Sequence, residues 1–145
     1  GGKLHLVNGS LEEFTRLIEQ HDNDGEKLCR NYYQTLQEGF STGLFQIAGH
    51  LDIIKKFNAK NIFFDESSSW YSNLIIETLE ILKEQGMALE VNTGGFKHPI
   101  QQPYPSKWII LEALQRKIPI VLSSDSHTPE TLGRYFTQVK EEIER

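Results

Sequence analysis

Three short apolar runs, each closed by turn residues and each followed by a segment with helical spacing, constrain the fold of this chain more than any other feature. The runs are Leu44-Phe45-Gln46-Ile47-Ala48 before Gly49-His50, Met87-Ala88-Leu89-Glu90-Val91-Asn92 before Thr93-Gly94-Gly95, and Ile118-Pro119-Ile120-Val121-Leu122 before Ser123-Ser124-Asp125. Runs of this length with such boundaries read as buried strands. Tyr71, Leu74, Ile75, Thr78, Leu79 and Leu82 mark a helix over 71–85 that ends at Gly86. Ser106 opens another, carrying Trp108, Ile109, Leu111, Ala113 and Leu114, and Pro129-Glu130 opens a last helix reaching Glu144. Upstream, Ser10 and Glu13 have the spacing of a capping box before a helix over 10–20, and Leu28, Tyr32 and Leu36 mark a second helix stopping near Gly39. Strands alternating with helices predict an α/β fold with parallel pairing and all strand C-terminal ends on one side.

The 145 residues fit one domain or a domain fragment, 1–145. With 15 Lys+Arg against 20 Asp+Glu, the net charge of −5 offers no basic footprint and argues against nucleic acid and anionic membrane surfaces as partners. No apolar run approaches the ~20 residues of a membrane-spanning helix. The single cysteine, Cys29, cannot form an internal disulfide, which fits a reducing, cytoplasmic setting.

Sites in parallel α/β folds collect at strand C-terminal ends. The residues just past the three runs are His50, then Glu90 and Asn92, then Ser123-Ser124-Asp125-Ser126-His127. Asp125 and His127 stand at i and i+2, so an extended strand end would send both side chains to one side as neighbouring metal ligands, and His50-Leu51-Asp52 repeats the spacing. The structural alternative makes His50 a core histidine bonded to a carbonyl and Asp125 a helix cap. Imidazoles and a carboxylate without thiolates favour Zn, Mn or Fe and hydrolytic chemistry. Thr93-Gly94-Gly95-Phe96-Lys97-His98 is either a phosphate-contacting turn or a plain loop. Asp22-Asn23-Asp24-Gly25 places its glycine too early for a calcium loop and reads as a turn, and no G-x-S-x-G elbow supports a covalent serine hydrolase.

Four ordered stretches carry a resemblance: Ile47-Ala48-Gly49-His50-Leu51-Asp52-Ile53-Ile54-Lys55, Leu89-Glu90-Val91-Asn92-Thr93-Gly94-Gly95, Pro103-Tyr104-Pro105-Ser106, and Ser123-Ser124-Asp125-Ser126-His127-Thr128-Pro129-Glu130. Together, over about residues 44–136, they resemble the C-terminal half of the PHP (polymerase and histidinol phosphatase) family, in its histidinol-phosphatase branch. The resemblance implies part of a distorted (β/α)7 barrel that hydrolyses phosphoesters with a divalent metal cluster of up to three ions, a metal-bound hydroxide being the attacking group. The implied substrate is a small phosphorylated molecule, L-histidinol phosphate, hydrolysed in histidine biosynthesis. By position, His50, Asp125 and His127 would be metal ligands, with His5 a further one although Lys3 and Leu4 depart from the branch's pattern. Lys97 or His98 would lie near the substrate phosphate, and Asp52 and Asn92 would orient the ligands. The family's opening His-x-His pair, its next His and its bridging Glu have no counterpart here, so the chain reads as the second half of a barrel whose open edges would invite self-association. The alternatives are a non-catalytic PHP-like half-domain acting as a structural or interaction module, and a PHP phosphoesterase with another substrate.

Overall fold

The computed structural model describes residues 6–144. Helix α1, Leu11–Gln20, begins where the sequence places it: Ser10 Oγ accepts the Glu13 N–H at 3.2 Å while the Glu13 carboxylate accepts the Ser10 N–H at 2.9 Å. Each side chain thereby satisfies a backbone donor that the first helical turn leaves without a partner. Asp22 and Asn23 then adopt left-handed backbone, and Asp24 caps helix α2, Gly25–Phe40, through the Lys27 N–H. The acidic turn is therefore a helix connection, as its spacing indicates. Gly25 is required there, because a Cβ would stand 2.1 Å from the Phe63 carbonyl oxygen.

Three parallel strands follow in sequence order: β1, Ile47–Ala48; β2, Ala88–Asn92; and β3, Ile120–Ser123. Helix α3, Ser69–Glu84, connects β1 to β2, and α4, Lys107–Gln115, connects β2 to β3. The register pairs Ile47 with Ala88, and Glu90 with Val121, on one face; Ala48, Leu89 and Ile120 stand side by side on the other. Ala48 and Leu89 are fully buried under the helices, within a core that includes Phe14, Tyr33, Tyr71, Ile75, Leu79 and Ile109, while Val91 is buried in a smaller cluster with Ile110 and Val139. The opposite face stays open: Ile47 is 49% exposed and Val121 38%. Parallel sheets are ordinarily covered on both faces. The described strands thus form an open α/β sheet with one covered face, and no closed barrel is present among them.

Two expected elements are shorter than the sequence suggests. The first strand spans two residues instead of the expected 44–48, because the ladder with β2 starts at Ile47 and leaves the Leu44 and Phe45 side chains exposed. The last helix does not run from Pro129. Pro129–Thr131 forms a single 3-10 turn, positive φ at Gly133 and Tyr135 breaks the path, and α5 is Phe136–Glu144.

Candidate functional site

The C-terminal ends of all three strands converge on one pocket of about 150 Å³, lined by Asn8, His50, Ile53, Lys56, Asn92, His98, Tyr104 and Asp125. Four of the residues singled out in the sequence, His50, Asn92, His98 and Asp125, therefore meet. His50 stands two residues past β1 and adopts φ +31°, and Asp125 stands two residues past β3 with φ +50°. Left-handed backbone costs a non-glycine residue about 1–3 kcal/mol and persists where surrounding contacts impose it. Here the contacts come from the middle strand. The Glu90 carboxylate accepts the His50 N–H at 2.7 Å. Asn92 Oδ1 accepts the Gly94 N–H at 2.8 Å, starting the 3-10 turn Thr93–Lys97. A Cβ on Gly94 would stand 3.0 Å from Asp125 Cβ and 3.1 Å from its Oδ2, so glycine lets Asp125 approach.

The other expected residues are placed differently. Because Asp125 is left-handed and β3 ends at Ser123, residues 125–127 are not an extended strand end, and the premise that Asp125 and His127 project together does not hold. His127 is exposed, is not among the residues lining the pocket, and has Nδ1 3.0 Å from the Asp125 carbonyl oxygen. Lys97 is likewise exposed and does not line the pocket. Asp52 faces the interior instead of His50: fully buried, it pairs with Lys55 Nζ at 2.8 Å and accepts the Ser106 N–H at 2.9 Å. Lys55 also donates to the Pro103 carbonyl at 3.2 Å and to the Ser106 hydroxyl. The Asp52 group thus anchors the segment carrying Tyr104, which pairs back onto Asn92 through N–H to carbonyl bonds of 2.7 and 2.9 Å in the two directions. His5 lies outside the described residues.

Sequence reasoning missed Lys56, Ile53 and Tyr104. Lys56 Nζ donates to the Asn8 and Gly9 carbonyl oxygens at 2.7 and 3.1 Å while lining the pocket. The 3-10 turn Ile53–Phe57 separates the two adjacent lysines, sending Lys55 into the core and Lys56 to the pocket. Burial, reinforced by Lys56 and Lys97, lowers the His98 pKa, against the opposing pull of Asp125. Near neutral pH His98 is therefore a neutral imidazole, able to donate one hydrogen bond or offer one lone pair. The buried Tyr104 hydroxyl makes no hydrogen bond to the described residues.

His50 and Asp125 have the donor chemistry of a divalent metal site. Among the described residues, however, no group of three or more His, Cys, Asp or Glu side chains is placed to hold a metal ion. The donors present do not by themselves make up a metal centre.

Residues 111–145 match the family model described as PHP-associated. A Deinococcus radiodurans protein described as a probable histidinol-phosphatase is 34% identical over 145 residues, covering 98% of this chain and 52% of the relative. The Bacillus subtilis histidinol-phosphatase is 29% identical over 113 residues, covering 74% of this chain and 41% of the relative. The crystal structure of the Listeria monocytogenes protein HisK, assigned as a histidinol phosphatase, superposes with a TM-score of 0.81 at 26% identity, covering 92% of this chain and 52% of that one. The chain thus spans about half the length of the relatives it matches. Together these likenesses support reading the chain as a C-terminal PHP region, similar to that of proteins described as histidinol-phosphatases.

Proposed function

We propose that this region works within a longer polypeptide as half of a phosphoester hydrolase, releasing phosphate from L-histidinol phosphate in the histidine-biosynthetic pathway of the cytoplasm. The observation that carries the reading is the meeting of His50, Asn92, His98, Asp125 and Lys56 in one pocket at the strand C-terminal ends. The likeness to proteins described as histidinol-phosphatases supports the substrate. The open sheet face, with Ile47 and Val121, would be covered by the rest of a PHP-type barrel; in an isolated chain it leaves edges that favour self-association.

Within this reading, His50 and Asp125, with His5 and His127 completing the set, contribute donors to a divalent metal cluster of Zn, Mn or Fe that other parts of the protein finish. When bound, such a cluster would neutralise phosphate charge and supply the nucleophile's activation. This chain's own residues orient the substrate. The Lys56 ammonium gives positive potential on one side of the pocket, and the neutral His98 imidazole offers an N–H to a phosphate oxygen. Lys97, on the exposed rim, adds long-range attraction for a phosphorylated ligand. Asn92 supports the site by holding the Gly94 turn against which Asp125 packs. Asp52 acts one step further out, through the Ser106 segment.

A second reading, a non-catalytic PHP-like module, is favoured by the lack of a three-donor group among the described residues. Steady-state hydrolysis by the complete protein separates the two. The phosphatase reading expects kcat/KM on L-histidinol phosphate to exceed that on other phosphomonoesters, with a large loss in His50→Ala and Asp125→Asn. A different preferred phosphoester would replace the substrate, and no hydrolysis of any would leave the module reading.

A further inference from the structure

We infer that Glu90 is a positioning residue, whose carboxylate holds the His50 turn of the neighbouring strand in the conformation that presents the imidazole to the pocket. The inference rests on the site reading above but assigns a role to a residue outside the donor set. Glu90 lies two residues before the last pair of the β2–β3 ladder, on the open face of the sheet and beside Val121 of β3. Its Oε2 accepts the His50 N–H at 2.7 Å across forty residues of sequence, a charge-assisted bond from one strand end to the next. The same oxygen stands 3.4 Å from where a Cβ on Gly49 would lie, so the carboxylate occupies the space beneath the Gly49-His50 peptide.

Three features make the bond consequential. His50 has φ +31°, a backbone conformation uncommon for a non-glycine residue and sustained by the contacts around it. β1 contributes only Ile47 and Ala48 to the ladder, so regular pairing stops two residues before His50 and does not fix it. The next backbone tie, the Ile53 N–H to the His50 carbonyl at 3.0 Å, is local to the turn itself. The Glu90 carboxylate is thus the link that sets the turn's height relative to β2, and hence relative to Asn92 and Asp125. Through Glu90 on one side and Gly94 on the other, the middle strand registers both flanking donors.

Comparison of Glu90→Gln with Glu90→Ala in the complete protein tests this role. A glutamine keeps an acceptor oxygen at the same reach, whereas alanine keeps none. Two readouts are needed: the amide hydrogen-exchange rate of the peptide containing His50, and kcat and KM on L-histidinol phosphate. The expected result is faster exchange at His50 and a kcat loss of about 10- to 100-fold in Glu90→Ala, the range usual for residues that orient a ligand-bearing side chain. Glu90→Gln should keep exchange protection and recover most of the activity. Loss of activity in Glu90→Gln equal to that in Glu90→Ala, with His50 still protected, would overturn the inference, because Glu90 would then act through its charge. Unchanged exchange in Glu90→Ala would overturn it as well. If the wild-type protein hydrolyses no phosphoester, the functional reading fails, and the exchange comparison still decides whether Glu90 fixes the His50 turn.

Discussion

Removing the Asp52 carboxylate should be among the most damaging single changes outside the pocket. Asp52 is fully buried and Lys55 is 1% exposed, with Nζ and Oδ2 2.8 Å apart. In Asp52→Ala the Lys55 ammonium keeps only the Pro103 carbonyl and the Ser106 hydroxyl, and the Ser106 N–H loses its acceptor. Breaking one side of a buried pair costs about 3–5 kcal/mol, since the surviving charge stays in a poorly solvating interior. For a chain of this size that corresponds to a fall in Tm of roughly 10 °C or more. The double variant Asp52→Leu with Lys55→Met removes both charges together. Its remaining cost is mainly the orphaned Ser106 N–H, about 1–3 kcal/mol, so it should be more stable than Asp52→Ala. Urea unfolding followed by circular dichroism gives both values. A loss below about 1 kcal/mol in Asp52→Ala, the size seen for exposed ion pairs, would refute the claim that this pair is buried and anchors the Tyr104 segment.

Gly94→Ala should displace Asp125 and Asn92, because its Cβ would stand 2.9 Å from Asn92 Oδ1 and 3.0 Å from Asp125 Cβ; phosphate release should fall further than Tm, and wild-type turnover would contradict the packing argument. Burial raises the Glu66 carboxyl above its ordinary pKa, so folding favours the neutral form: that contribution is fully present below the unfolded-state pKa and is lost as pH rises through the folded-state one. Glu66→Gln should therefore raise Tm at about pH 7 and leave it nearly unchanged at about pH 3, as read by calorimetry at both. Ser10→Ala removes one half of the capping box and should cost about 1 kcal/mol in urea unfolding, with pocket residues unaffected.

The order of elements was legible because apolar spacing reports which face of a segment is buried, and here each strand-helix unit buries its face locally. The capping box at Ser10 and the glycine stop at Gly86 work for the same reason: their partners lie within a few residues. What depends on distant partners was not legible. Ser106 reads as a helix cap, yet its N–H and hydroxyl are used by Asp52 and Lys55, and its side chain caps nothing. The Pro129 signal for a helix start is real for one turn, but positive φ at Gly133 and Tyr135 ends it. At the site, position along the strands placed His50, Asn92 and Asp125 together. The i, i+2 argument failed for His127 because it presumed extended backbone at Asp125. Lys56 and Tyr104 had no periodic signature, since one is set by a 3-10 turn and the other by a pairing onto Asn92.

The proposed function requires that this region carry part of a metal-dependent phosphatase site that the rest of a longer polypeptide would complete. Calorimetric titration of Mn and Zn into the 145-residue chain and into the complete protein tests it most directly. The expected result is tight binding of at least two equivalents by the complete protein, weakened in Asp125→Asn, and only weak binding by the isolated chain. Equal affinity in both proteins, or none in either, would contradict it.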